Sequence, residues 1–303
     1  MQSVTVYHYD AFSLEPNQGN PAGVVLEADA LSDKEMQEIA FKVGFNETAF
    51  HLTSKIADLQ LRYFTPGHEM NLCGHGTIAI LYALKTKGLL ADKSELTIET
   101  NAGILPISIQ EKDGSFFITL EHAPPKFKKF NGSYADIASA IGINKNELSS
   151  DLPIIYGSTG TWTLLVPIRS LESFQKMKPN NQVFPSILKE IPNASLHVFC
   201  LETFDTEADM HARHFSSPYS GTIEDAVTGT ASGVMAAYYK KYIQKSKKPI
   251  VNLVIEQGYE VGKNGRVYVS ATPNEKTKEM SIHMSGQAVY VNKFELNLIE
   301  KIK

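Results

Sequence analysis

One short pattern occurs twice in this chain, about half a chain length apart, and the duplication restricts the fold more than any other feature. The first copy runs Arg62-Tyr-Phe-Thr-Pro66, then Cys73-Gly-His-Gly-Thr77, then an apolar run to Leu84. The second runs Arg213-His-Phe-Ser-Ser217, then Asp225-Ala-Val-Thr-Gly-Thr230, then an apolar run to Tyr239. A strand-like block follows each, Leu96-Thr-Ile-Glu99 and Leu253-Val-Ile-Glu256. A repeat this long is not a solenoid unit, and 303 residues are enough to fill two cores. The expectation is two similar domains that face one another, with a site between them.

Charge and composition narrow the function classes. The 29 Lys and Arg are mixed with 33 Asp and Glu, without a basic stripe or an aromatic-interleaved basic cluster, so a nucleic-acid partner is not expected. The start, Met1-Gln-Ser-Val-Thr-Val-Tyr7, reads as a strand, and no apolar stretch reaches the length of a membrane span. Two cysteines are too few for a disulfide framework, which points to a reduced, cytoplasmic protein.

Local signals order the chain. Residues 3–12 and 22–27 read as strands around the turn-forming Glu15-Pro-Asn-Gln-Gly-Asn-Pro21. Ser32-Asp-Lys-Glu35 is a capping box that opens a helix ending at Gly44. Glu47 then falls at a helix-to-strand junction. Further strands are expected near 59–65, 95–100, 104–110 and 115–121, with Asp113-Gly114 as a hairpin turn. The runs 77–84 and 231–239 are apolar or small on every side, as in a helix buried all round. A buried helix among many short strands suggests a curled, barrel-like sheet around it. Pro124-Pro125 marks the boundary, giving halves 1–122 and 123–303. The second half opens with strands near 153–167, followed by helices near 170–178 and 183–190. Residues 278–303 are candidates to pack back on the first half.

The loops before the buried helices carry the chemistry. A helix start presents free N–H groups and positive potential, and Gly74, Gly76 and Gly229 let a ligand approach the backbone. Two such starts suit a carboxylate, although the glycines also serve as tight turns. Neither loop has the spacing of a nucleotide-binding motif. Aligned on the shared Gly-Thr, Cys73 falls opposite Ala226, so a two-thiol racemase site is not expected. Cys73 is either activated by its helix start or buried and inert. Glu47 is a candidate general base, with a surface or capping carboxylate as the plainer alternative. His75 and Asp225 flank the two helix starts and are candidates to face one another; otherwise Asp225 caps its helix and His75 bonds backbone. A metal site is not expected at His211 and His214, which lack a further ligand set.

Asn20-Pro-Ala-Gly-Val-Val25, Glu47-Thr-Ala-Phe50, Arg62-Tyr-Phe-Thr-Pro66, Leu72-Cys-Gly-His-Gly-Thr77 and Asp225-Ala-Val-Thr-Gly-Thr-Ala231 occur together and in order. In this the chain resembles the PhzF family, phenazine-biosynthesis-type isomerases of the diaminopimelate epimerase superfamily. The resemblance implies an α+β fold of two pseudo-symmetric halves, each a barrel-like sheet around a central helix. It implies an enzyme without cofactor or metal, working as a homodimer. It implies Glu47 as the main proton carrier, with His75 and Asp225 beside it. Thr230 stands where the phenazine enzymes commonly have serine, and Ala226 where proline is frequent.

These observations lead to an expected isomerase that moves a proton on a small carboxylate by general acid–base catalysis. Glu47, His75 and Asp225 are its expected catalytic residues. Asn20, Cys73, Gly74, Gly76, Thr77, Gly229, Thr230 and Ala231 are its expected substrate-binding residues. Two alternatives stand beside it: a ligand-binding or protein-interaction protein that keeps the site, and a racemase using Cys73 and Glu47 as unlike bases.

Overall fold

A computed structural model describes residues 3–298, apart from 91, 245, 247, 276 and 278. It divides into two units, residues 1–121 with 285–303, and residues 122–284.

In the first unit β1 (Ser3–Ala11) and β2 (Asn20–Val25) pair antiparallel, so Asn20 and Pro21 belong to a strand and not to the preceding turn. Helix α1 (Asp33–Val43) follows, with Ser32 and Glu35 forming the reciprocal capping box and Gly44 in the left-handed conformation at its C-terminal end. β3 (Glu47–Leu52) runs parallel to β2, and β4 (Leu59–Phe64) antiparallel to β3. The two-residue strand β5 (Glu69–Met70) pairs with β4 and leads into α2 (Gly74–Thr86). After α2, β6 (Glu95–Thr100) returns parallel to β4, and β7 (Gly103–Lys112) and β8 (Ser115–His122) complete a meander. Asp113 and Gly114 both have positive φ, as a two-residue hairpin turn requires.

The second unit repeats this order. β9 (Lys126–Lys129) pairs with β10 (Ile155–Ser158), which lies antiparallel to β11 (Trp162–Pro167). Between β9 and β10 sits α3 (Tyr134–Ala140), a short helix capped by Ser133 that the sequence reading did not anticipate. The two helices expected near 170–178 and 183–190 shrink to 3₁₀ turns, Leu171–Lys176 and Asn181–Val183, and the single-turn α4 (Phe184–Ile187). Pro179, Pro185 and Pro192 leave too little uninterrupted chain for longer helices. β12 (Ser195–Cys200) runs parallel to β11, and β13 (Met210–Phe215) antiparallel to β12. The two-residue β14 (Glu224–Asp225) pairs with β13 and leads into α5 (Gly229–Tyr238). β15 (Val251–Gln257) then returns parallel to β13, followed by antiparallel β16 (Gly265–Pro273). The sequence of parallel and antiparallel pairings from β1 to β7 is thus the same as from β10 to β16.

β17 (Met280–Gly286) and β18 (Ala288–Asn297) end the described chain. β18 lies antiparallel along the whole of β1 and belongs to the first unit, so the second unit stops at Met284 and not at the C-terminus. Of the stretch 278–303, residue 278 and residues 299–303 lie outside the described residues.

The two buried helices explain the repeated apolar runs. From Gly76 to Leu81 every residue of α2 is buried, and α2 packs on β1, β2, β3 and β18. In α5 every residue but Thr230 is buried, and it packs on β10, β15 and β16. A helix that meets strands on several sides has no polar face, which is the pattern the sequence carries. Among the described residues no helix is long and apolar enough to cross a membrane.

Candidate active site

Three of the expected residues come together in the first unit. Glu47 is the first residue of β3, opposite Ala22 on β2. Cys73 is the N-cap of α2, and its Sγ accepts the Gly76 N–H at 3.3 Å. His75, in the first turn, places Nδ1 3.4 Å from Cys73 Sγ and Nε2 3.2 Å from Glu47 Oε2. The Glu47 contact is an ion-pair distance without hydrogen-bond geometry, so this buried oxygen lacks a hydrogen-bond donor. One ligand-type atom from each of the three residues lies within 4.8 Å of the other two.

The electrostatics follow from burial and neighbours. Burial opposes a charge on His75, but Cys73 and the Glu47 carboxylate outweigh it and hold the ring pKa well above its ordinary value. Cys73 departs from the expectation of an activated thiol. Burial dominates over His75 and the helix start, and its pKa is raised.

The glycine loop is less open than expected. The Gly76 N–H is taken by Cys73 Sγ, and the Thr77 N–H by the Cys73 carbonyl at 3.0 Å. A Cβ on Gly76 would sit 3.2 Å from Cys73 Sγ and 3.3 Å from the Tyr63 ring, so this glycine allows close packing of side chains. Thr77 donates its hydroxyl to the Cys73 carbonyl at 2.7 Å and lies 2.6 Å from the Tyr63 hydroxyl. Asn20 is buried at the start of β2, two residues before the partner of Glu47.

The second unit holds its own set. Asp225 is the second residue of β14, three residues before the α5 N-cap. Its Oδ2 accepts the Thr228 hydroxyl at 2.6 Å, and its carbonyl accepts the Gln257 side-chain amide at 2.8 Å. Thr228 is the N-cap, and its N–H goes to Gln257 Oε1 at 3.2 Å. Gly229, Thr230 and Ala231 form the first turn, where the Thr230 carbonyl accepts the Thr159 hydroxyl at 3.4 Å.

This geometry corrects the alignment of the two copies. Thr77 donates its hydroxyl to the Cys73 carbonyl, and Ser232 donates to the Thr228 carbonyl at 2.6 Å, four residues back in each case. Cys73 therefore corresponds to Thr228, and not to Ala226. The second copy still lacks a thiol, but a hydroxyl stands in its place. Thr228 and Gln257 were missed in the sequence. The signal for Thr228 was its position directly before the helix-opening glycine.

His211 and His214 also fall in this unit. His211 bonds Glu256 through Nδ1 at 2.9 Å and Glu260 through Nε2 at 3.0 Å. His214 faces the His197 ring, Nδ1 to Nδ1, at 3.3 Å.

Comparison with known proteins agrees with this architecture. The sequence profile described as Phenazine biosynthesis-like protein (PhzC-PhzF) matches residues 9–293. The uncharacterized isomerase YfhB of Bacillus subtilis is 52% identical over 290 residues, covering 96% of this chain and 97% of that protein. The trans-2,3-dihydro-3-hydroxyanthranilate isomerase of Pseudomonas aeruginosa is 28% identical over 282 residues, covering 92% and 95%. The crystal structure of the Bacillus anthracis phenazine biosynthesis protein of the PhzF family superimposes with a TM-score of 0.96 at 55% identity, covering 98% and 100%. A hydroxyproline epimerase from Agrobacterium vitis shares the fold alone, with a TM-score of 0.60 at 14% identity over 99% and 94% of the chains. With the duplicated sheet-and-helix units described above, these likenesses place the chain in the PhzF family, as an isomerase with the α+β, diaminopimelate epimerase-like fold.

Proposed function

We propose that this isomerase moves a proton within a small unsaturated carboxylate, with Glu47 as the group that removes and returns it. The observation that carries this reading is the position of Glu47 Oε2, 3.2 Å from His75 Nε2 and short of a hydrogen-bond donor. A carboxylate oxygen not already committed to a donor is free to accept a proton from carbon. The His75 ring, held towards its charged form, lies beside the carboxylate and keeps it in place.

In the proposed reaction Glu47 takes a proton from a saturated carbon next to a conjugated system. The electron pair left behind delocalises towards the substrate carboxylate, and the positive end of α2 offsets the charge that develops. Glu47 then returns the proton to another carbon of the same system. The net change is an isomerisation, so nothing is oxidised or reduced. Asp225, held by the Thr228 hydroxyl, is an acceptor suited to an amino or hydroxyl group of the substrate. The Pseudomonas aeruginosa relative, named for an amino- and hydroxy-bearing cyclic carboxylate, supports that substrate class.

A racemase using Cys73 and Glu47 as opposed bases is disfavoured by distance. Reacting atoms about 3–3.5 Å on each side of a carbon require bases roughly 6–7 Å apart, whereas these two lie within 4.8 Å.

The test is proton NMR in heavy water with trans-2,3-dihydro-3-hydroxyanthranilate, comparing wild type with Glu47→Gln. Deuterium incorporation or product in wild type, absent from the variant, is the expected result. Undiminished turnover in the variant would overturn the assignment of Glu47. Inert wild type would exclude this substrate and direct the assay to other conjugated carboxylates.

A further inference from the structure

Along one row of side chains the two copies of the duplicated unit carry different chemistry. In the first unit Ala49, Tyr63 and Met70 lie directly opposite one another on β3, β4 and β5. The matching row on β12, β13 and β14 is His197, His214 and Asp225. Directly paired residues of antiparallel strands project from the same face of a sheet, with Cβ atoms about 4.5–5.5 Å apart. Asp225 therefore has His214 beside it, and His214 has His197 on its other side.

The exchange turns a closed position into an open one. Tyr63 is fully buried, and its hydroxyl meets that of Thr77 at 2.6 Å. His214 is partly exposed, and Ser232, the counterpart of Thr77, turns its hydroxyl to the Thr228 carbonyl. The start of the neighbouring strand changes in the opposite sense. Glu47 opens β3, whereas Ser195 opens β12 and donates its hydroxyl to Thr163 Oγ1 at 2.9 Å. The second unit has a hydroxyl where the first has its carboxylate, and a polar row where the first has an alanine, a closed tyrosine and a methionine.

His197 fixes the state of His214. The two rings meet Nδ1 to Nδ1 at 3.3 Å, so one nitrogen carries the proton and the other accepts it. His197 is fully buried, and its Nε2 has no hydrogen-bond partner among the described residues. A proton on that nitrogen would make a buried N–H without an acceptor, the rarer kind of orphan group. The hydrogen-bond network therefore assigns the His197 proton to Nδ1, and leaves His214 to accept it and carry its own proton on Nε2. Burial lowers both ring pKa values, so the pair is uncharged at neutral pH. In an imidazole whose Nδ1 faces one neighbouring strand, Nε2 lies on the edge turned to the other. For His214 that other strand is β14, which carries Asp225.

We infer that His214 presents an Nε2–H donor beside the Asp225 carboxylate, and that the two together select substrates with a hydroxyl group at this point. A hydroxyl gives its proton to Asp225 and accepts one from His214 on a lone pair. An ammonium group has no lone pair to offer, and a hydrogen in that place leaves both protein groups unmet. His197 is a positioning residue, because it acts through the tautomer of His214. The selection rests on the reading of Asp225 as an acceptor for the substrate; the tautomer stands on the geometry of the two rings.

The experiment has two parts, both on the full-length protein. Imidazole nitrogen NMR with isotope-labelled histidine reads the tautomers, with signals assigned by their loss in His214→Gln and His197→Asn. His214 should show a bare Nδ1 and a protonated Nε2, and His197 the reverse; the opposite arrangement would overturn the proposal. Calorimetry then compares 3-hydroxyanthranilate with anthranilate, aromatic carboxylates that differ by one hydroxyl and cannot be isomerised. Wild type should prefer the hydroxylated ligand roughly tenfold, His214→Leu should lose that preference, and His214→Gln, with an amide near the Nε2 position, should keep most of it. In wild type the hydroxylated ligand should also shift the His214 Nε2–H signal more than anthranilate does, which holds the test if His214→Leu does not fold. Equal affinities in wild type, equal shifts, or a preference that survives in His214→Leu would overturn the hydroxyl selection. Glu47→Gln separates this from the proton-carrier reading, because it should keep the preference while it loses turnover. Wild type that binds neither ligand would overturn the substrate class and the selection together.

Discussion

The Glu47 carboxylate lies 3.2 Å from the His75 ring, and Cys73 lies 3.4 Å from the other nitrogen of that ring. A histidine between these two groups keeps its proton to higher pH than a free one. Its pKa in the fold is raised, so the stability it contributes is fully present below about pH 6.5 and is lost as pH rises through the folded value. His75→Gln should therefore cost most stability near pH 6 and progressively less in alkaline buffer. Urea unfolding of both proteins across that range checks this; a gap that does not change with pH would mean that His75 is neutral in the fold.

The Thr228 hydroxyl reaches Asp225 at 2.6 Å, a hydrogen bond to a charged acceptor. Such bonds contribute about 1.5–3 kcal/mol. If Asp225 positions substrate, Thr228→Val should lower kcat/KM roughly tenfold to a hundredfold, and Thr228→Ser should restore most of it. Steady-state kinetics of the two variants decides. Equal losses in Val and Ser would place the effect in packing of the helix start and not in the hydroxyl.

Much of this fold was legible because the strongest local signals coincide with its frame. The Ser32–Glu35 box and Gly44 delimit α1, and the all-apolar runs could only be buried helices. Glu47, Cys73 and His75 could be named as candidates from motif and position. Their convergence could not, because Glu47 reaches the cluster through the pairing of β3 with β2, a contact with no trace in local sequence. The copy alignment failed for a related reason. Matching Gly-Thr to Gly-Thr ignored the caps, and only the hydroxyl-to-carbonyl bonds of Thr77 and Ser232 reveal the true register. The helices expected after residue 170 failed because periodicity there competes with closely spaced prolines.

The His197–His214 pair makes an opposite prediction for acid. Burial lowers both ring pKa values, that of His214 to about 4 and that of His197 well below the ordinary range. With Nδ1 atoms 3.3 Å apart, one ring donates and the other accepts, so the neutral pair is the bound form. A histidine with a depressed folded pKa contributes stability that is present above about pH 6.5 and is lost as pH falls towards about 4. Stability should fall through this window, and His197→Phe with His214→Phe should flatten the fall. Denaturant midpoints between pH 7 and pH 4 test it; an unchanged slope in the double variant would assign the acid sensitivity elsewhere.

The last prediction uses the duplication as its own control. Arg62 makes two parallel bonds to Glu69, at 2.7 and 2.8 Å, and Arg213 makes two to Glu224, at 2.9 and 2.7 Å. Each guanidinium also lies over a phenylalanine ring, Phe64 or Phe215. The copies differ in solvent access. Glu69 is 27% exposed and keeps a bond from Asn101, whereas Glu224 is 10% exposed and Arg213 further donates to the Phe174 carbonyl at 2.7 Å. Removing the arginine from the more open copy costs the ion pairs to Glu69 and to the largely exposed Asp33 and a cation–π contact, about 1–2 kcal/mol. Removing it from the closed copy leaves a nearly buried carboxylate and a buried carbonyl without their donor, about 3–5 kcal/mol. Arg213→Met should therefore lower the urea midpoint at least twice as far as Arg62→Met. Equal shifts would show that the two clamps are equally hydrated, and that burial does not distinguish the copies at this position.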